Sequence, residues 1–211
     1  MNSEISPHRV LAAALPQGTQ LPQGIGLVMD AWMDAQAAAI CRGEWSGWPS
    51  AGGFDLLRDA LTATDADDGA LWLVDDVKRE LRPCFSIGQY SKILLNEIRQ
   101  PLTSGLISMF FFTEDSICEA QVGSRSEHGP DVDSRLCAKT KAMVAIPVFF
   151  AQRCRGVFSA VLFEVSSKVP HKEAFLHSDF ETLAQAATLW GELMDSQLAG
   201  VGIQVGANSG L

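Results

Sequence analysis

AMVAIPVFFAQRCRGVFSAVLFEV, residues 142–165, is the stretch that decides the fold. It contains two apolar runs, residues 142–150 and 157–163, separated by a polar break of hairpin length at residues 151–154. Along the first run both the odd and the even positions are apolar, so both faces of this strand are expected to be covered. The stretch therefore predicts a buried antiparallel hairpin near the centre of the chain.

The composition is that of a folded globular protein. Hydrophobic residues make up 47% and charged residues 19% of the 211 positions, which supports a sizeable core. The formal net charge is −9 and the 16 Lys and Arg residues are scattered, whereas nucleic-acid binding needs a basic stripe. The longest apolar runs reach about ten residues, half of what a bilayer crossing needs. We therefore expect no nucleic-acid partner and no membrane span. We also expect no signal peptide, because the apolar run at residues 10–15 is preceded by Glu4 and is shorter than a usual h-region.

The cysteines and histidines show no metal-binding spacing. Cys41, Cys84, Cys118, Cys137 and Cys154 form an odd, widely spaced set without a C-x-x-C pair, which is typical of reduced thiols. The four histidines are not paired at the i, i+4 spacing of a helical metal site. We expect no metal, no cofactor and a cytoplasmic location.

The rest of the chain predicts helices on either side of this hairpin and further strands before it. Apolar residues predict helices over residues 24–42, 54–61, 92–99, 105–112 and 178–198, the last with Ser178 as its cap and Glu181 at the capping-box position. The long polar connection at residues 123–141 is expected to contain a helical turn over residues 131–138. Short apolar runs predict strands over residues 70–74, 80–88 and 116–122. In the second of these strands, alternation places Leu81, Pro83, Phe85 and Ile87 on one face. The acidic run at residues 65–69 is interpreted as a turn with a solvated face.

Several short motifs follow one another in a recognisable order. They are the buried strand before an acidic turn at residues 70–76, Gly105-Leu-Ile before residues 116–122, Ala145-Ile-Pro-Val148, Gly156-Val-Phe-Ser159, and Phe175-x-x-x-Asp179 followed by Leu183-Ala184. Over residues 24–198 this order resembles the GAF domain, the ligand-sensing module of phosphodiesterases, phytochromes, sensor kinases and transcriptional regulators. The resemblance implies an α/β (α+β) fold with a central antiparallel sheet, the terminal helices on one face and a pocket-forming helical insertion on the other. We expect a flexible N-terminal arm at residues 1–21, a GAF-like domain at residues 22–198, and a disordered Gly-rich tail at residues 199–211.

The resemblance also implies a ligand pocket between the sheet and the helices of residues 92–141. Its candidate lining residues are Phe85, Phe112, Cys118, Arg135, Cys137 and Met143, each of which also has a plain packing or surface interpretation. We expect Arg135 to clamp an anionic group, because a guanidinium beside an apolar pocket suits that role. Cyclic-nucleotide-binding members carry Asn-Lys and Phe-x-x-x-Asp-Glu, which this chain matches only in part. Lys168 and Asp179 are nevertheless expected to form the ion pair that latches the strand end to the last helix.

These observations favour a non-enzymatic sensory or regulatory domain that binds an unknown small molecule or a partner protein. The chain contains no output module, so we expect its state to pass through the terminal helices, which carry apolar stripes suited to a homodimer. One alternative is a pure interaction module with a filled pocket. A second is a thiol-based reductase of free methionine sulfoxide, although the Gly-Val-Cys-Gly pattern of those enzymes is absent.

Overall fold

The structure, a computed structural model, describes residues 25–45, 51–124, 131–165 and 172–209. The predicted N-terminal arm and Lys168 of the predicted latch lie outside these ranges. The helices are α1 (Ile25–Arg42), α2 (Ala51–Ala63), α3 (Ser91–Glu97), α4 (Leu106–Thr113), α5 (Asp131–Leu136) and α6 (His177–Ser209). The strands are β1 (Asp68–Asp75), β2 (Glu80–Gly88), β3 (Gln100–Pro101), β4 (Ile117–Glu119), β5 (Thr140–Phe150) and β6 (Arg153–Phe163).

The six strands form one sheet in the order β3-β2-β1-β6-β5-β4, with all neighbours antiparallel. Helices α1, α2 and α6 cover one face and enclose a cluster of buried side chains that we call the helix-side core. Helices α3, α4 and α5 cover the other face and enclose the cavity-side core. The predicted fold class is confirmed.

The β5–β6 hairpin has the predicted two apolar faces and a shorter turn than expected. Val144 and Val148 belong to the helix-side core, and Met143 and Ala145 to the cavity-side core. The turn consists of residues 151–152, which have φ values of 48° and 64°. A two-residue turn with both residues left-handed matches the twist of the flanking strands, so β6 begins at Arg153.

A β-bulge in β2 overturns the predicted alternation of this strand. Phe85 pairs with Leu71, but the register shifts immediately beyond this pair, so that Cys84 is opposite no residue of β1 in the ladder. An extra residue exchanges the two faces of a strand. Leu81 consequently lies in the cavity-side core, whereas Phe85 lies in the helix-side core, where it stacks on Phe54 at 5.1 Å between ring centroids.

The tip of the β5–β6 hairpin is bound to helices on the helix side of the sheet. The main-chain N–H of Ala151 donates to Asp195 Oδ1 on α6 at 2.6 Å. The buried Arg155 on β6 pairs with Asp34 on α1. The turn end of the hairpin is therefore bonded to both α1 and α6.

The start of α6 is held by an acid inside its first turn. Asp179 Oδ2 accepts the N–H of Leu176 at 2.6 Å and lies 2.7 Å from Lys172 Nζ. Lys172 therefore supplies the cation that pairs with Asp179 in the described part of the chain. The predicted cap at Ser178 is wrong, because the helix begins at His177 and Ser178 lies within it.

Helix α6 also continues beyond its predicted end at residue 198 and reaches Ser209. Residues 199–209 are therefore helical and do not form the irregular tail that their glycines suggested. Leu198 and Ala199 are buried, and each further helical residue adds one hydrogen bond to an existing helix. Within the described residues no helix is long and apolar enough to cross a membrane.

Candidate functional site: a cavity under the helical insertion

A cavity of about 70 Å³ lies between the sheet and helices α3, α4 and α5. Its wall is largely apolar and includes Ala70, Leu94, Leu106, Ile107, Met143 and Val161. The strands β1, β5 and β6 form its floor, and the starts of α4 and α5 form its roof. This volume exceeds the roughly 10–15 Å³ that one water molecule needs. The cavity therefore has room for a small organic group.

Polar side chains in the wall bond to one another and leave few donors for a ligand. Trp72 Nε1 donates to Ser159 Oγ at 3.0 Å, and Ser159 Oγ lies 3.4 Å from the Ala70 oxygen. Thr140 donates to Asp133 twice, through its main-chain N at 2.8 Å and through Oγ1 at 2.7 Å. The indole, both hydroxyls and this amide N–H are thus occupied within the protein.

The Gln100 side chain also has its donors occupied. Its Nε2 group donates to the main-chain oxygens of Ser104 and Pro101. Gly105 permits this arrangement, because a Cβ there would lie 2.6 Å from Nε2, and its φ of 85° favours glycine. The carboxylates and hydroxyl lone pairs are consequently the main polar groups that can face a ligand.

Asp68 is the most deeply buried carboxyl group in the cavity wall, with 1% of the residue exposed. It accepts main-chain N–H groups from Gly69 at 2.9 Å and from Tyr90 at 3.0 Å, and it lies 3.4 Å from Ser86 Oγ. Gly88 covers it so closely that a Cβ at that position would approach Asp68 Cγ to 2.6 Å. Burial raises the pKa of Asp68 to about 6 in spite of these hydrogen bonds.

No family model and no curated protein matches the chain. Solved structures do match it. The GAF/HD domain protein from Geobacter sulfurreducens is similar with a TM-score of 0.53 and 14% identity over 81% of this chain and 98% of that chain. The GAF domain from an Acinetobacter phosphoenolpyruvate-protein phosphotransferase is similar with a TM-score of 0.52 and 14% identity over 83% of this chain and 98% of that chain. The chain has the GAF fold.

A free methionine-R-sulfoxide reductase from Neisseria meningitidis is also similar, with a TM-score of 0.50 and 17% identity over 79% of this chain and 90% of that chain. At such identities the likeness shows the GAF fold alone, because one fold carries many functions. Function has to be argued from this chain's own residues.

Among the predicted pocket residues, Met143 lines the cavity of this GAF fold. Phe85 lies on the opposite face of the sheet because of the bulge in β2. The other four predicted residues do not line the cavity and are exposed: Phe112, Cys118, Arg135 and Cys137. Arg135 lies on the outer side of α5 and donates through Nη1 to the Glu97 oxygen at 3.4 Å. The structure does not bring the predicted set together.

Asp68 and Ser159 line the cavity but were not among the predicted site residues. Asp68 was assigned to the solvated acidic turn, whereas it begins β1 and is buried. Its position directly before the buried run of residues 69–73 was the available signal. Ser159 was also visible in the sequence as one hydroxyl within the apolar strand at residues 157–163. A single polar residue in a buried strand needs a partner, which here is Trp72.

The five cysteines lie in the described part of the chain, and none of them lines the cavity. Burial raises the thiol pKa to about 12 for Cys41 and Cys84 and to about 11 for Cys154. Partial burial, with nearby carboxylates adding to it, also raises the pKa of Cys118. A raised pKa disfavours the thiolate, which is the reactive form of cysteine.

Proposed function

We propose that this chain is a regulatory GAF domain that binds a small molecule in the cavity under α3–α5 and catalyses no reaction. The observation that carries this proposal is the mostly apolar cavity with a few polar groups in its wall. An interaction module with a filled pocket would have apolar side chains in that space. The cavity therefore favours ligand binding over that alternative.

The cysteines support the non-enzymatic part of the proposal. Reduction of a sulfoxide by thiols requires a thiolate beside the bound substrate. None of the cysteines lines the cavity, and burial raises the pKa of Cys41, Cys84 and Cys154. The alternative of a thiol-based reductase consequently lacks a cysteine at the cavity, and burial disfavours the thiolate of Cys41, Cys84 and Cys154.

Helices α1 and α6 are the proposed route by which the ligand state reaches a partner in the cytoplasm. Val28 on α1 is 67% exposed and Leu189 on α6 is 42% exposed, although both are apolar. Exposed apolar side chains on neighbouring helices suit a homodimer interface or a downstream protein. We propose a homodimer through these two helices.

Filling the cavity tests the proposed function. Val161 lines the cavity, whereas Val165, on the same segment, is 86% exposed, so Val161→Phe and Val165→Phe form a matched pair. A ligand present at about 100 times its Kd stabilises the folded state by about 2.7 kcal/mol, or a Tm increase of about 5–10 °C for a domain of this size. A panel of small amines, acids and neutral metabolites is screened by thermal shift.

We expect at least one compound to raise the Tm of the native protein and of Val165→Phe, and to leave Val161→Phe unchanged. The Tm of the ligand-free variants shows whether each is folded. The proposal is wrong if no compound shifts the native protein, or if the compound that does so shifts Val161→Phe equally.

A further inference from the structure

We propose that the cavity is built for a small cation, an alkylammonium group whose hydrocarbon part contacts the apolar wall and whose N–H groups donate to the wall's oxygen atoms. This inference rests on the proposed function and adds the chemical class of the ligand. The proposed ligand is a cation, whereas the predicted role of Arg135 implied an anion.

The charged side chains in the described part of the cavity wall are acidic. Among the described residues that line the cavity, Asp68 and Asp133 are acidic and none is Lys, Arg or His. Asp68 is almost fully buried, and no ion pair to it exists within the described residues. Buried charges in proteins are normally paired, so a cationic ligand would supply the partner that this carboxyl group lacks.

The side-chain hydrogen bonds of the wall also favour a cation. The donors of Trp72, Thr140 and Gln100 are all directed to acceptors within the protein. The described side chains of the wall therefore offer a ligand hydrogen-bond acceptors, because their donors are already occupied. An ammonium group has three donors and no acceptor, and so matches this wall better than a carboxylate or a phosphate does.

One element of the wall, the start of α4, favours an anion instead. The first turn of α4, which includes Leu106 and Ile107, lines the cavity, and no side chain caps this helix. A helix N-terminus carries about half a positive charge. Two acidic side chains, Asp68 and Asp133, stand against this half charge, so the formal charge around the cavity remains negative. The wall also contains the aromatic residues Trp72 and Phe163, and aromatic rings can attract a cation.

Three probes of similar shape separate the charge classes: isobutylammonium, isobutanol and isovalerate. Binding is followed at about pH 7.5, below the ordinary amine pKa of about 10, by the ¹H–¹⁵N resonance of the Trp72 indole, which lies in the cavity wall. The indole of Trp190, in the helix-side core, is the internal control. We expect saturable shifts of the Trp72 resonance, with isobutylammonium binding at least about tenfold more tightly than isobutanol, and isovalerate weakest.

Variants of the acids complete the test. Asp68→Asn is expected to weaken isobutylammonium binding about tenfold and to change isobutanol binding less than about twofold. Asp133→Asn is the second variant if Asp68→Asn does not fold, and Asp59→Asn, an exposed acid on α2, is the control for net charge. Binding of isovalerate as tight as that of the amine would refute the cation class and leave the cavity as a binding site. If none of the three probes moves the Trp72 resonance, the cation proposal is wrong, and the thermal-shift panel with Val161→Phe decides the proposed function separately.

Discussion

Replacing Asp68 by Asn tests whether burial in the cavity wall raises the pKa of the Asp68 carboxyl group. Burial raises the pKa of Asp68 from 3.8 to about 6, whereas the N–H groups of Tyr90 and Gly69 act in the opposite direction. Between these two pH values the folded protein holds a proton at Asp68 that the unfolded chain has released. The stabilising effect of this proton is fully present below pH 3.8 and is lost as the pH rises through about 6.

The size of this effect follows from the pKa change. A rise from 3.8 to about 6 corresponds to about 3 kcal/mol in the free energy of unfolding, at about 1.4 kcal/mol per pKa unit. About 2 kcal/mol of this total falls between about pH 4 and about pH 7.5. Asn does not titrate. The unfolding free energy of the native protein minus that of Asp68→Asn should therefore decrease by about 2 kcal/mol over this range.

Urea unfolding followed by tryptophan fluorescence, at a series of pH values, measures this difference. Asp59→Asn, on the exposed side of α2, removes the same charge without changing the cavity and should show no such decrease. A difference that stays constant or increases with pH would refute the reasoning. It would mean that the two N–H donors outweigh burial and that the Asp68 pKa is not raised.

Three further substitutions test the packing, the hairpin anchor and the dimer. Gly156→Ala should destabilise the domain by more than about 2 kcal/mol in urea unfolding, because its Cβ would lie 1.9 Å from the Trp72 main-chain oxygen; a native-like midpoint would contradict this close approach. Asp34→Ala should cost about 1–3 kcal/mol, since it leaves the buried Arg155 without its ion pair while Asp34 itself is partly exposed, and an unchanged unfolding midpoint would show that the pair is not stabilising. Leu189→Glu should convert the proposed homodimer to a monomer in sedimentation velocity; a native protein that is already monomeric at high micromolar concentration would disprove the dimer.

The fold could be predicted because its signals are local and repeated. The hairpin of residues 140–163 is marked by two long apolar runs around a polar turn, and α1 and α6 by apolar residues at helical spacing. Each such element is specified by many residues. A misinterpreted segment at the end of an element therefore changes a boundary, as at the end of α6, and leaves the architecture intact.

The cavity wall could not be predicted in the same way because single positions determine it. The bulge at Cys84 exchanges the faces of β2 and removes Phe85 from the cavity side, and nothing in a period-two pattern shows where an extra residue is inserted. Arg135 occurs in the right segment, but a helix of six residues can direct a side chain to either side. Asp68 was missed because an acid next to other acids is usually solvated, and its burial depends on Gly88 from another strand.

The anchoring of the β5–β6 hairpin has a mechanical consequence. Each strand has 11 residues and so extends over about 35 Å, with Met143 and Val161 at the cavity and the turn at the other end. At that end Ala151 and Arg155 are bonded to α6 and α1. The hairpin thus connects the cavity with the two helices through its own length. The hairpin that lines the cavity is therefore bonded, at its other end, to the same two helices through which we propose the ligand state is transmitted.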